Sequence, residues 1–100
     1  MTYRIAPSKQ CRKKLNVLRQ SGKWNSDASL KEAVALLTTH DKRSLYVLAE
    51  HWKDHALKGN LRGIRELHLG FDRLLLYRIN EEKRAIVLLD IVTHENLEKM

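Results

Sequence analysis

Apolar residues recur along this chain with two different periods, and the change from one to the other divides it near its middle. Between residues 8 and 20, Cys11, Leu15 and Leu18 return at helical spacing while Lys9, Arg12, Lys13 and Arg19 fall on the opposite side. Pro7 suits the first turn of that helix and Gly22 its stop. A short strand over residues 2–6 is predicted to precede it. A second helix starts with Ser26 or Asp27 as N-cap, carries Glu32 in its first turns and buries Leu30, Ala33, Val34 and Leu37. It is predicted to fray across residues 40–44. Residues 45–60 keep no clean period and read as irregular, ending on a turn at Lys58, Gly59 and Asn60. Three strands then follow closely, over residues 62–69, 72–79 and 83–92, each rich in Leu, Ile, Val or Tyr. Gly70 lies in the first turn, and Asn80, Glu81 and Glu82 make the second, so the strands form an antiparallel meander. The unbroken run Leu74-Leu75-Leu76-Tyr77 marks the middle strand as central and buried on both faces. The predicted fold is α+β in two layers, with two N-terminal helices packed on a small, mainly antiparallel sheet.

The chain has 100 residues, of which 43% are hydrophobic and 31% charged, with one Pro and four Gly. Residues 1–100 therefore form a single domain with one modest core, and no repeat or low-complexity stretch is present. No wholly apolar run is longer than the five residues of 85–89, whereas a membrane helix needs about 20 such residues. The basic beginning of the chain has no apolar stretch of the signal-peptide kind. A cytoplasmic protein with no membrane partner is expected. The single Cys11 has no partner for an internal disulfide, and its helical spacing from Leu15 and Leu18 makes it a small core residue.

Charge adds a second signal. Nineteen Lys and Arg against twelve Asp and Glu give a net +7, and the sequence pI is about 9.8. Arg4, Lys9, Arg12, Lys13, Lys14, Arg19 and Lys23 all precede the first acid, Asp27, so the excess resides in the first 26 residues. A solvated helix face is the plainer explanation of a charge run, but seven cations without an acid exceed what solubility asks for, and an anionic partner is expected.

The strand order also gathers polar residues. With Leu69, Gly70 and Phe71 as the hairpin loop, His68 and Asp72 become opposed neighbours, their Cβ atoms about 4.5 to 5.5 Å apart. The carboxylate is expected to orient the ring and favour its protonated form. The next hairpin sets Asp90 roughly opposite Asp72, so the third strand ends at the same edge and brings His94 there. His55 comes from the preceding loop, where register does not fix it. Histidines beside a carboxylate, among Arg62, Arg65 and Arg73, suit cleavage of an RNA phosphodiester without metal. That reaction needs a base for the 2′-hydroxyl, an acid for the departing 5′ oxygen and cations for the extra charge on phosphorus. Zinc is the weaker reading. His51 and His55 are four apart, but there is no HExxH pattern and no third ligand at a fixed spacing. His40 and His51 read as exposed polar residues, and Trp24 and Trp52 as packing or rim residues rather than stacking platforms.

The runs Asp54-His55-Ala56-Leu57-Lys58-Gly59, Gly63-Ile64-Arg65-Glu66-Leu67-His68, Asp72 through Tyr77, and Thr93-His94 followed by Leu97 fit the pattern DHxLxG, GxRExH, DxxLxY and THxxL in order. With two helices ahead of a meander, this resembles the YafQ branch of the RelE/ParE toxin superfamily over nearly the whole chain. The resemblance implies the toxin of a type II toxin–antitoxin pair, a ribosome-dependent mRNA endonuclease that needs no metal or other cofactor. It also implies a RelB- or DinJ-like antitoxin as partner, beside the ribosome and mRNA. By the same resemblance His55, His68, Asp72 and His94 take the catalytic positions, with His94 as acid, His55 or His68 as base and Asp72 as orienter. Lys58, Arg62, Arg65 and Arg73 are candidates to bind RNA, and Lys9, Arg12, Lys13 and Arg19 to contact the ribosome. The chain departs from its relatives at Arg73, where they have an aromatic, at Asp90, in place of an arginine, and near Glu98, in place of an aromatic. Two other functions stay open at this stage. One is a noncatalytic ParE-like toxin acting on DNA gyrase, which the histidine and aspartate set disfavours; the other is a plain basic nucleic-acid-binding module.

Overall fold

A computed structural model describes residues 2–100. Strand β1 (Arg4–Pro7) leads into helices α1 (Lys9–Gln20), α2 (Asp27–Thr39) and α3 (Lys42–His51). Strands β2 (His55–Ala56), β3 (Arg65–Gly70), β4 (Arg73–Asn80) and β5 (Ala85–Val92) follow, and the short helix α4 (His94–Glu98) closes the chain. The sheet order is β1-β5-β4-β3-β2. Only β1 runs parallel to its neighbour, pairing Arg4 with Ala85 through Pro7 with Leu88. The meander and its central strand are as the sequence predicts.

Local chemistry sets the helix ends. Ser8 caps α1 by accepting from the Cys11 amide at 3.0 Å, and Gly22 at φ +75° turns the chain away from it. Helix α2 stops where His40 adopts φ 50°, and Asp41 at once caps α3 by accepting from the Ser44 amide at 2.8 Å. A helix thus replaces the irregular stretch expected from residue 45 onward. The His40 ring, expected to be exposed, is half-buried and rests against Tyr3 with centroids 4.0 Å apart.

The three long helices cover one sheet face. Cys11, Leu18, Leu30, Ala33, Leu37 and Leu48 meet Leu67, Leu69, Leu75, Tyr77, Ile86, Leu88 and Ile91 there. Burial pushes the Cys11 thiol up to about 11, with the charge of Asp90 adding to the effect, so it is a packed thiol and not a nucleophile. Trp24 and Trp52 pack against this core. The opposite face carries a smaller cluster of Leu74, Leu76 and Val92, flanked by Leu57, Ile64, Leu89 and Leu97. Leu57 and Ile64 come from the loop after β2 and Leu97 from α4, so these two pieces bracket an open strip of sheet. Among the described residues no helix is long and apolar enough to cross a membrane.

Beneath the helices, Asp54 accepts the Tyr77 hydroxyl proton, with both carboxylate oxygens 2.7 Å from Tyr77 Oη. Arg65 Nε reaches Asp54 Oδ1 at 3.4 Å and Tyr77 Oη at 3.3 Å. Burial raises the Tyr77 pKa, and the Asp54 charge and hydrogen bond add to it, so the phenol stays a donor. Burial alone would lower the Arg65 pKa, but Tyr77 and Asp54 hold it above its ordinary value. Tyr77→Phe takes the best donor from a carboxylate only 5% exposed. It is expected to cost about 1–3 kcal/mol of stability, read from the shift in urea midpoint at constant slope.

Candidate active site

Strand pairing fixes where the polar groups meet. Residues alternate across β3, so Leu67 and Leu69 face the helices while Glu66 and His68 face the open strip. His55 on β2 stands opposite Glu66. Glu66 is only 4% exposed, and its Oε1 lies 3.1 Å from His68 Nε2 and 3.7 Å from His55 Nε2. The rings of His68 and His94 then meet edge to face, with centroids 5.3 Å apart at 65°. His94 bonds through Nδ1 to Asp72 Oδ1, and its backbone amide donates to the same oxygen at 3.3 Å.

These partners assign the protons. The Lys53 carbonyl, 2.7 Å from His55 Nδ1, can only accept, so in the neutral ring Nδ1 carries the hydrogen and Nε2 the lone pair. His68 by the same rule donates from Nε2 to Glu66 and keeps its lone pair on Nδ1. In His94, Nδ1 faces Asp72 and Nε2 is left for proton exchange. The hydrogen bond that the His94 ring donates to Asp72 raises the His94 pKa above its ordinary value, with the charges of Asp72, Glu66 and Glu98 acting the same way. Asp72 is lowered in turn, chiefly by the His94 side chain and amide, and Arg73 contributes. The pair's mutual stabilisation is lost as pH falls through the lowered Asp72 value, and again as pH rises through the raised His94 value.

Several expectations change here. His68 and Asp72 are not opposed: His68 pairs with Leu74 and Gly70 with Arg73, so the turn is the two-residue Phe71-Asp72 and the pairing shifts between His68 and Gly70. This turn is shorter than the three-residue loop the sequence predicts, and it sends the Asp72 carboxylate to His94. Asp90 stands opposite Leu76 and accepts from Gln10 Nε2 at 2.9 Å. His51, at the end of α3, is not joined to His55. A different set, Glu66, His68 and His94, offers ligand atoms all within 4.8 Å of one another and so could hold a metal ion. Glu66 escaped the sequence reading, although its period-two spacing from His68 was visible. Arg65 is committed to Asp54 and Tyr77 on the helix side, away from the strip. Lys58 and Arg62 are exposed on the loop after β2, and Arg73 is half-buried beside Asp72. On α1, Lys9, Arg12 and Lys13 are exposed, while Arg19 pairs with Asp27 at 2.8 Å.

Three helices on one face of a five-stranded sheet, with an open strip of histidines on the other, define a RelE-like toxin fold. The archaeal RelE–RelB complex of Pyrococcus horikoshii shares that fold at a TM-score of 0.67 and 21% identity, over 93% of this chain and 96% of that one. A metal-bound toxin from Helicobacter pylori is 34% identical, with a TM-score of 0.76 over 97% of this chain and 99% of its own. The Escherichia coli DinJ–YafQ toxin–antitoxin complex matches at 25% identity and a TM-score of 0.73, over 97% of this chain and 98% of that one. No curated protein matches the chain. The family described as the bacterial toxin of type II toxin-antitoxin system, YafQ, matches residues 3–99. The chain belongs to the YafQ family of type II toxins.

Proposed function

We propose that this toxin is a ribosome-dependent endoribonuclease that cuts translated mRNA by general acid–base catalysis. The observation that carries the reading is the set of three imidazoles gathered about two carboxylates, Glu66 and Asp72, on the open strip of a strongly cationic domain. His55 Nε2 takes the 2′-hydroxyl proton, and the freed oxygen attacks phosphorus. His94 Nε2 protonates the departing 5′ oxygen, so the products are a 2′,3′-cyclic phosphate and a 5′-hydroxyl. Asp72 keeps His94 charged and oriented, and Glu66 holds His68 beside it. Lys58, Arg62 and Arg73 are assigned to the RNA backbone, and the exposed cations Lys9, Arg12 and Lys13 to ribosomal RNA. This work belongs in the cytoplasm, with a DinJ- or RelB-like antitoxin as the neutralising partner. Purified translation reactions test it: message shortened only in the presence of ribosomes is expected. Intact message together with inhibited gyrase supercoiling would favour a ParE-like toxin instead.

The acid assignment has a pH signature. A His94 pKa raised by Asp72 extends activity upward in pH, and the rate falls only as pH rises through it. Asp72→Asn is expected to move that alkaline limb toward lower pH and to reduce the rate most at the alkaline end. A pH–rate profile with an unmoved limb would remove Asp72 from this role.

A metal ion held by Glu66, His68 and His94 would occupy nitrogens of the same site. The toxin of Helicobacter pylori is metal-bound, and imidazole with carboxylate suits zinc or copper. Micromolar zinc is expected to slow cleavage, and EDTA to restore it; a rate indifferent to zinc would show that the set does not close on a metal.

A further inference from the structure

Phe71 is the chain's one phenylalanine, and it is 74% exposed. It stands with Asp72 as the two central residues of the β3–β4 turn, at φ 51° and 60°. A two-residue turn with both φ values positive favours Asn or Asp followed by Gly, and a bulky aromatic is among its poorest occupants. Asp72 is tolerated there, and its carboxylate is used by His94. Phe71 has no such account. It joins neither apolar cluster, it suits its backbone badly, and it leaves a large apolar surface in water beside charged neighbours. Folding does not explain the residue, so its position must. Phe71 directly precedes the residue that bonds His94, and Arg73, half-buried, follows on the other side of Asp72. An RNA strand with its scissile phosphate at His94 would carry a neighbouring base past this ring, with a cation available for its backbone.

We propose that Phe71 is a stacking platform for a nucleobase of the message next to the scissile phosphate. The proposal rests on the ribonuclease reading. It commits to RNA as the occupant because Phe71 adjoins Asp72, the partner of His94, on a protein of net charge +7, and every base presents a π face to stack.

Phe71→Asn, Phe71→Tyr and wild-type protein are compared in ribosome-bound message cleavage, thermal melting and affinity for the purified cognate antitoxin. Asn suits the turn and lacks the ring, so its melting temperature is expected to rise while kcat/KM falls roughly 10- to 100-fold. Tyr keeps the ring and is expected to stay within about threefold of wild type. Antitoxin affinity is expected to be equal in all three. Cleavage by the Asn variant at the wild-type rate overturns the proposal, as does an equal loss in the Tyr variant. So does a lowered melting temperature for Asn, which would mean that the ring belongs to the fold. A loss confined to antitoxin binding assigns the ring to the antitoxin and overturns it too. If wild-type protein cleaves no message, the ribonuclease reading falls and this proposal with it; the other failures leave that reading standing.

Discussion

His94→Ala is expected to lower message cleavage by roughly 10²- to 10⁴-fold, the usual worth of a positioned proton donor. Its melting temperature should stay within a few degrees of wild type. The separation of the two effects follows from where His94 sits. It is exposed at the first turn of α4, and exposed substitutions seldom change stability by more than about 0.5 kcal/mol. The bonds that keep α4 in place lie elsewhere. Thr93 and Asn96 cap the helix reciprocally, and Leu97 packs against the cluster around Leu74, Leu76 and Val92. Alanine also keeps the backbone amide that donates to Asp72. A variant that loses cleavage by unfolding would contradict the assignment, because its far-ultraviolet circular dichroism would change with the rate.

Leu75→Ala should produce the opposite pattern, with the fold lost ahead of any specific chemistry. Leu75 lies in β4, the middle of five strands, and is fully buried in the layer beneath the helices. Removing three of its carbons leaves a cavity between sheet and helices, at a cost of about 2–5 kcal/mol. A domain of this size has only about 5–15 kcal/mol in all. The urea midpoint is expected to fall steeply, and activity to disappear at growth temperature. A loss below about 1 kcal/mol would mean that the helices close over the gap and that the layer is less tightly packed than described.

The buried runs were the legible part of this chain. Leu74 to Tyr77 announced a central strand, and all four residues prove buried, with Leu75 and Tyr77 toward the helices and Leu74 and Leu76 toward the open strip. Helix α3 was hidden because its apolar residues do not mark its buried side: Leu45 and Tyr46 are exposed, while Ser44 and Leu48 are buried. Its start could have been read from Asp41, three residues ahead of Ser44. The parallel pairing of β1 with β5 joins residues about 80 apart and leaves no local mark.

At the site, one turn decided what could be read. Strand order brought His68, Asp72 and His94 to one edge, but shortening the loop to Phe71-Asp72 exchanged the aspartate's partner, because side chains in strands alternate with every residue. His55 came only from the resemblance, since a two-residue strand carries no periodicity of its own. Glu66 is buried in β3 opposite His55, a cross-strand pairing that no spacing within β3 reveals.

The chemistry of the cut ends tests the account most directly. Message cleaved on the ribosome by wild-type protein should carry a 2′,3′-cyclic phosphate on the upstream fragment and a 5′-hydroxyl on the downstream one. The same ends should form at least 10²-fold more slowly with His94→Ala. Fragments ending in 3′-hydroxyl and 5′-phosphate, or cleavage by His94→Ala at the wild-type rate, would contradict it.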